Sequence, residues 1–169
     1  LMYGLPGQTA ADFARSLEEA VSLDIKHLSS YGLKVEPNTP FGKMGESLIL
    51  PDEDTWCEMY ARLVETCGKA GLLQYEISNF ARPGFESRHN LKYWTLAEYL
   101  GLGPAAHSYL GGRRFAFARD LEVYCRAFEG GDDTGLLSED YEAPASGAVA
   151  DYIMLSLRLK SGLSTADFN

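Results

Sequence analysis

Between residues 1 and 78, short apolar runs alternate with amphipathic stretches, and that alternation restricts the fold more than any other feature of the chain. Residues 1–4, 28–33 and 74–78 have the length and apolar content of strands. Between the first two, Thr9 stands as a helix N-cap, with Asp12 three residues on as an acidic partner to the first turn. Phe13, Leu17, Ala20 and Val21 then fall on one helical face. Between the second and third runs, Asp52, Glu53 and Asp54 favour the positive end of a helix dipole. Trp56, Met59, Tyr60, Leu63, Val64 and Cys67 follow as an apolar stripe that ends at Gly68 or Gly71. Residues 36–50, with their prolines and glycines, read as a long loop. Strand, helix, strand, helix, strand in this order predicts βαβ units, a parallel sheet and an α/β fold.

Past Asn79 the pattern changes. Residues 80–94 read as a polar and aromatic loop, and residues 94–100 as helical. Residues 101–117 mix glycines with a hairpin predicted around Gly111-Gly112. Helices are expected over 121–128 and over 145–160, the latter carrying Val149, Ile153 and Leu157. The acidic stretch 130–142 between them reads as a connector and a domain boundary. The chain opens inside an apolar run and stops where Ser164 or Thr165 would cap a new helix, as expected of a piece of a larger protein.

The formal net charge of −9 argues against a nucleic-acid partner, because neutralising phosphates requires clustered Lys and Arg. Arg113 and Arg114 form one basic pair, and Arg82, Arg88 and Lys92 a loose group. Both read as solvated surface or as a grip on a small anion such as a carboxylate or propionate. No apolar run is long enough to span a bilayer. Cys57, Cys67 and Cys125 lack any C-x-x-C spacing, which suits a reducing, cytoplasmic setting and cannot by itself build a metal or cluster site.

Three groups of residues carry possible chemistry. Gly101-x-Gly103-x-x-Ala106 matches the letters of a dinucleotide loop. Its surroundings do not, because the fingerprint needs a strand before it and a helix after it, whereas a strand-like His107-Ser108-Tyr109-Leu110 follows. The alternative is that these glycines let the backbone turn tightly against a sheet. The second group, His89-Asn90 with Tyr93-Trp94, sets an imidazole beside aromatic rings. Imidazole is a common axial ligand of heme iron and flat rings suit a porphyrin face. The plainer reading is a loop in which His89 or Asn90 bonds backbone and Trp94 anchors the segment. Third, Tyr31 and Glu36 would lie at strand ends, where Tyr31 either stacks on a purine or packs in a barrel core. His107 reads as a core histidine or a ligand, and His27 as unremarkable in its setting before a strand.

Four segments occur together in order: Leu1-Met2-Tyr3-Gly4-Leu5-Pro6-Gly7-Gln8-Thr9, Tyr75-Glu76-Ile77-Ser78-Asn79-Phe80-Ala81, Arg88-His89-Asn90 through Trp94, and Gly101-Leu102-Gly103-Pro104-Ala105-Ala106-His107-Ser108. The set resembles the oxygen-independent coproporphyrinogen III oxidase-like radical S-adenosylmethionine (SAM) family, and H-N-x-x-Y-W at His89, Asn90, Tyr93 and Trp94 is similar to its heme-chaperone branch. The resemblance implies the latter half of a partial, six-stranded TIM-like barrel over residues 1–130. The start of a small, mostly helical C-terminal domain is implied over 131–169. It implies SAM contacts at Met2, Tyr31 and Leu33, and heme contacts at His89, Asn90, Tyr93 and Trp94, with His89 as the iron ligand. The family's C-x-x-x-C-x-x-C cluster motif does not occur in this sequence, so no cluster ligand and no catalytic residue is assigned and the chain alone is expected to be inert.

For the full-length protein the resemblance implies a 4Fe-4S cluster and SAM, and heme as the bound molecule, delivered to heme-accepting respiratory proteins. The competing expectations are a coproporphyrinogen III dehydrogenase, which decarboxylates substrate propionates oxidatively with SAM, and a catalytically silent interaction fragment.

Overall fold

A capping box starts the first helix. In the computed structural model, which describes residues 1–143, 145–164 and 166 (backbone alone for 145–148), the Thr9 hydroxyl accepts from the Asp12 N–H and the Asp12 carboxylate accepts from the Thr9 N–H. Helix α1 (Ala10–Ser22) therefore begins where predicted, and Phe13 and Leu17 are fully buried along its inner face. Asp52 caps α3 (Glu53–Lys69) in the same way, accepting from the Thr55 N–H, and Met59, Leu63 and Cys67 are buried one turn apart. Between the two lies α2 (Pro40–Met44), followed by a single 3-10 turn, Gly45–Ser47. The long loop expected over 36–50 is thus partly helical, because Thr39 caps Gly42 and Pro40 suits the first helical position.

The chain packs as two compact units, Leu1–Glu86 and Ser87–Asn169. In the first, β1 (Met2–Tyr3) and β3 (Tyr31–Gly32) pair in parallel across α1, as a βαβ crossover requires, with Met2 opposite Tyr31 and Tyr3 opposite Gly32. The other pairs run against expectation. β2 (His27–Ser29), β4 (Leu73–Glu76) and β5 (Asn79–Ala81) form an antiparallel sheet in the order β2-β5-β4. The third predicted strand reverses at once, and the returning β5, not β4, lies beside β2. The reversal is held by the Glu76 carboxylate, which accepts from the Ser78 N–H at 2.8 Å and from the Asn79 amide.

Tyr3, Leu28, Leu72 and Phe80 meet α1 and α3 in one core with Phe13, Leu17, Met59, Leu63 and Cys67. Trp56 lies over this core's edge, 4.9 Å from the Tyr3 ring. A Cβ on Gly32 would stand 2.4 Å from Trp56 Cζ2, so the indole needs a glycine at that point of β3. Burial pushes the Cys67 thiol up to about 11, which marks it as a packing residue; Cys57, on the same helix, is exposed.

In the second unit α4 (Arg88–Trp94) occupies the end of the segment read as loop, while residues 95–100 are not helical. β6 (His107–Leu110) and β7 (Arg113–Phe117) form the predicted hairpin, with Gly111 and Gly112 both at positive φ as the tight connection requires. α5 (Leu121–Gly130) packs on this sheet through Phe117, Tyr124 and Phe128. β8 (Leu137–Glu142) then pairs with β7 where a connector was expected. It shows no apolar alternation because all six residues are exposed; its ladder is supported across strands by the Arg113–Asp140 ion pair. α6 (Ala145–Ser156) follows. The helix start expected at Thr165 lies outside the described residues.

Candidate functional site

Two places in the fold gather the residues singled out by sequence, one in each unit. In the first unit, Met2 and Tyr31 are register partners on adjacent parallel strands, so their side chains share the sheet face opposite Tyr3. They are 46% and 47% exposed in this chain, so the Tyr31 ring does not pack in the core of this unit. The Leu33 N–H is spent on the Tyr3 carbonyl at 2.8 Å, so only other groups of Leu33 are available to a ligand. Glu36 pairs with Lys34 and is not joined to Tyr31.

Further along the same unit, sequence reasoning missed a polar network. The Ser29 hydroxyl donates to Asn79 Oδ1, and the Asn79 amide in turn donates to the buried Glu76 carboxylate. His27 Nε2 shares a hydrogen bond of 2.8 Å with the Tyr75 hydroxyl. The signal was the Tyr75–Ala81 motif itself, whose letters these bonds explain; the partners Ser29 and His27 carry no local mark. Burial holds the His27 imidazole below its ordinary value of 6.5, against an opposing pull from Glu76. The unfolded chain therefore takes up a proton first as pH falls, and the native state loses stability below about pH 6.5. Urea midpoints measured between pH 7 and 5 are expected to fall less steeply in His27→Gln than in the parent; equal slopes would remove His27 as a contributor.

In the second unit the Ser87 hydroxyl caps α4 by accepting from the Asn90 N–H at 3.2 Å. Four residues apart on that helix, His89 and Tyr93 lie on one face. His89 Nε2 and the Tyr93 hydroxyl are hydrogen-bonded at 2.8 Å, with the rings edge-on at 5.1 Å. Tyr93 is wedged edge-on against Tyr99 at 4.6 Å, while His89 is exposed. The bond to Tyr93 holds the imidazole through Nε2, and no hydrogen bond to Nδ1 is made among the described residues.

Trp94 is not brought beside His89. Its ring lies under the Arg158 guanidinium at 4.6 Å and lines a separate cavity of about 290 Å3 with Tyr152, Ser156 and Leu159, and its buried Nε1 has no partner among the described residues.

The glycine segment behaves as a close backbone approach, since a Cβ on Gly101 would stand 2.3 Å from the His107 carbonyl oxygen. His107 is exposed, with Nδ1 4.0 Å from Glu139, so it is not a core histidine. Among the described residues no three His, Cys, Asp or Glu side chains converge as metal ligands, and no helix is long and apolar enough to cross a membrane.

α4 offers an exposed imidazole, a residue type that ligates heme iron. The Met2–Tyr31 face is exposed, and no group of three possible cluster or metal ligands occurs among the described residues.

Comparison with known proteins bears on both sites. No protein-family model matches the chain. The heme chaperone HemW of Bacillus subtilis is 37% identical over 171 residues, covering 99% of the chain and 44% of that protein. HemW of Synechocystis is 37% identical over 168 residues, covering 98% of the chain and 41% of that protein. HemW of Escherichia coli is 34% identical over 149 residues. The chain thus spans less than half the length of these relatives. Among solved structures, the Escherichia coli coproporphyrinogen III oxidase HemN, described as a radical SAM enzyme, superimposes with a TM-score of 0.75 at 20% identity. That match covers 94% of the chain and 39% of HemN, and it shows that the chain shares the α/β fold of that part of HemN.

Proposed function

The chain belongs to the coproporphyrinogen oxidase-like radical SAM family, as a segment of a protein similar to the heme chaperone HemW, and from that premise we propose that its parent binds heme and delivers it to heme-accepting respiratory proteins in the cytoplasm. One observation carries the reading: the His89 imidazole is exposed on α4 and held through Nε2 by Tyr93. His89 would hold the iron through Nδ1 while Nε2–H donates to the Tyr93 hydroxyl, the kind of second hydrogen bond that orients a metal-bound histidine. Asn90 completes this turn of the helix, and Trp94 would act by anchoring it.

The parent would also carry SAM at the Met2–Tyr31 face, with the Tyr31 ring on the adenine and Leu33 alongside, and a 4Fe-4S cluster held outside this chain. When bound, cluster and SAM would supply radical chemistry; the residues present here would position the adenine and nothing more. The HemN fold likeness favours a second reading, a coproporphyrinogen III dehydrogenase, at the level of family alone.

Titrating heme into the chain and following the Soret band tests the first reading. The parent chain is expected to shift the band with a ligand-field signature that His89→Ala lacks. Tyr93→Phe is expected to keep the signature with about tenfold weaker binding, the usual cost of losing the group that orients a ligand. Identical spectra for parent and His89→Ala would remove His89 as the ligand.

A further inference from the structure

Next to the His89–Tyr93 pair is a small cavity of about 190 Å3 that iron ligation leaves unused. Its walls include Lys92, Tyr93, Tyr99, Tyr109, Arg114 and Leu155, so two cations and three phenols surround a space far smaller than a macrocycle. The chain as a whole carries a net charge of −9, which makes two cations converging on one hollow a local feature and not a consequence of composition.

Neither cation is saturated. The Lys92 ammonium donates to the Glu98 carbonyl at 3.2 Å and has no carboxylate partner among the described residues. Arg114 is ion-paired with Asp151 through Nη2 at 3.1 Å and lies 5.0 Å over the Tyr109 ring, which leaves its other guanidinium N–H groups as donors. Arg114 also acts on Tyr99, opposing the upward push that burial exerts on that phenol. Ammonium, guanidinium and hydroxyl donors around a small hollow with one apolar wall are what a carboxylate on a short alkyl arm requires.

Tyr93 ties the hollow to the ligand, since the same side chain that orients His89 lines it. We propose that this cavity takes up a propionate carboxylate of the porphyrin whose iron His89 meets, with Lys92 and Arg114 as its charge partners. The inference rests on the heme reading above, and it names the part of the ligand that the chain would grip besides the metal.

Iron-free protoporphyrin and its dimethyl ester separate the two, because neither offers a metal to His89 and only the first offers carboxylates. Fluorescence titration of the full chain is expected to show the free acid bound about tenfold more tightly than the diester, in line with the strength of charged hydrogen bonds. Lys92→Gln, at an exposed side chain, is expected to cut that preference several-fold, and Arg114→Gln to remove most of it. Unchanged far-ultraviolet circular dichroism would show that both variants fold. His89→Ala is expected to keep the preference in full while losing the Soret signature with heme. Equal binding of acid and diester by the parent chain, or a preference that survives both substitutions, would overturn the proposal and leave iron ligation standing. Uptake of no porphyrin at all would overturn both.

Discussion

Replacing Phe13 by alanine is expected to remove about 3–5 kcal/mol of stability, the cost of truncating a fully buried aromatic ring and leaving a cavity behind. Phe13 is 0% exposed, and its ring lies 5.3 Å from that of Tyr3. It stands at the junction of α1, α3 and the sheet, where Leu17, Met59, Leu63 and Phe80 share the same core. A domain this size has a net stability of roughly 5–15 kcal/mol, so the variant would be close to unfolding at room temperature. Urea denaturation followed by circular dichroism measures the loss. Tyr31→Ala serves as the contrast: an exposed ring on the opposite sheet face should cost no more than about 0.5 kcal/mol. Comparable losses for the two variants would mean that the buried and exposed faces of this sheet have been assigned the wrong way round.

The second large effect is expected at Glu76. Its carboxylate is 3% exposed and accepts from the Ser78 N–H and the Asn79 amide, itself 2% exposed. Glu76→Ala strands both donors away from water, at about 1–3 kcal/mol each. The Asn79 amide would also be freed to turn, which weakens the Ser29 side-chain bond that adds to the β2–β5 ladder. Glu76→Gln keeps one acceptor oxygen and should cost about 1 kcal/mol. Denaturation midpoints should therefore rank the parent above Glu76→Gln and Glu76→Gln above Glu76→Ala. Amide hydrogen exchange at Ser78 should accelerate most in the alanine variant. A Glu76→Ala chain as stable as the parent would mean that the reversal between β4 and β5 does not depend on the carboxylate.

How much of this was legible in the sequence depended on whether the signal was local. The cap at Thr9, the acidic start at 52–54 and the stripe from Trp56 to Cys67 are legible in the sequence, because capping and periodicity involve residues within one or two turns. The Gly111-Gly112 turn was legible for the same reason. α4 was not. Its Ser87 cap follows Pro83 and Gly84, and at seven residues it is too short to show an apolar stripe. The meeting of His89 with Tyr93 followed only once that segment was helical, since a spacing of four joins two side chains on a helix and separates them in an extended loop. β8 escaped notice because an exposed, acidic strand pairs through its backbone and its cross-strand ion pair, neither of which leaves a hydrophobic pattern.

Sequence by itself determined the two amphipathic helices and the alternation of strand and helix that makes the fold α/β. Only the tertiary structure decided that β5 and not β4 borders β2, that Glu76 is the buried hinge of that reversal, and that Lys92 and Arg114 converge on one hollow beside Tyr93. The reason is physical. Capping and periodicity are properties of neighbouring residues, whereas strand partners, buried polar networks and cavities arise from segments far apart in the chain, whose meeting depends on how the whole core packs.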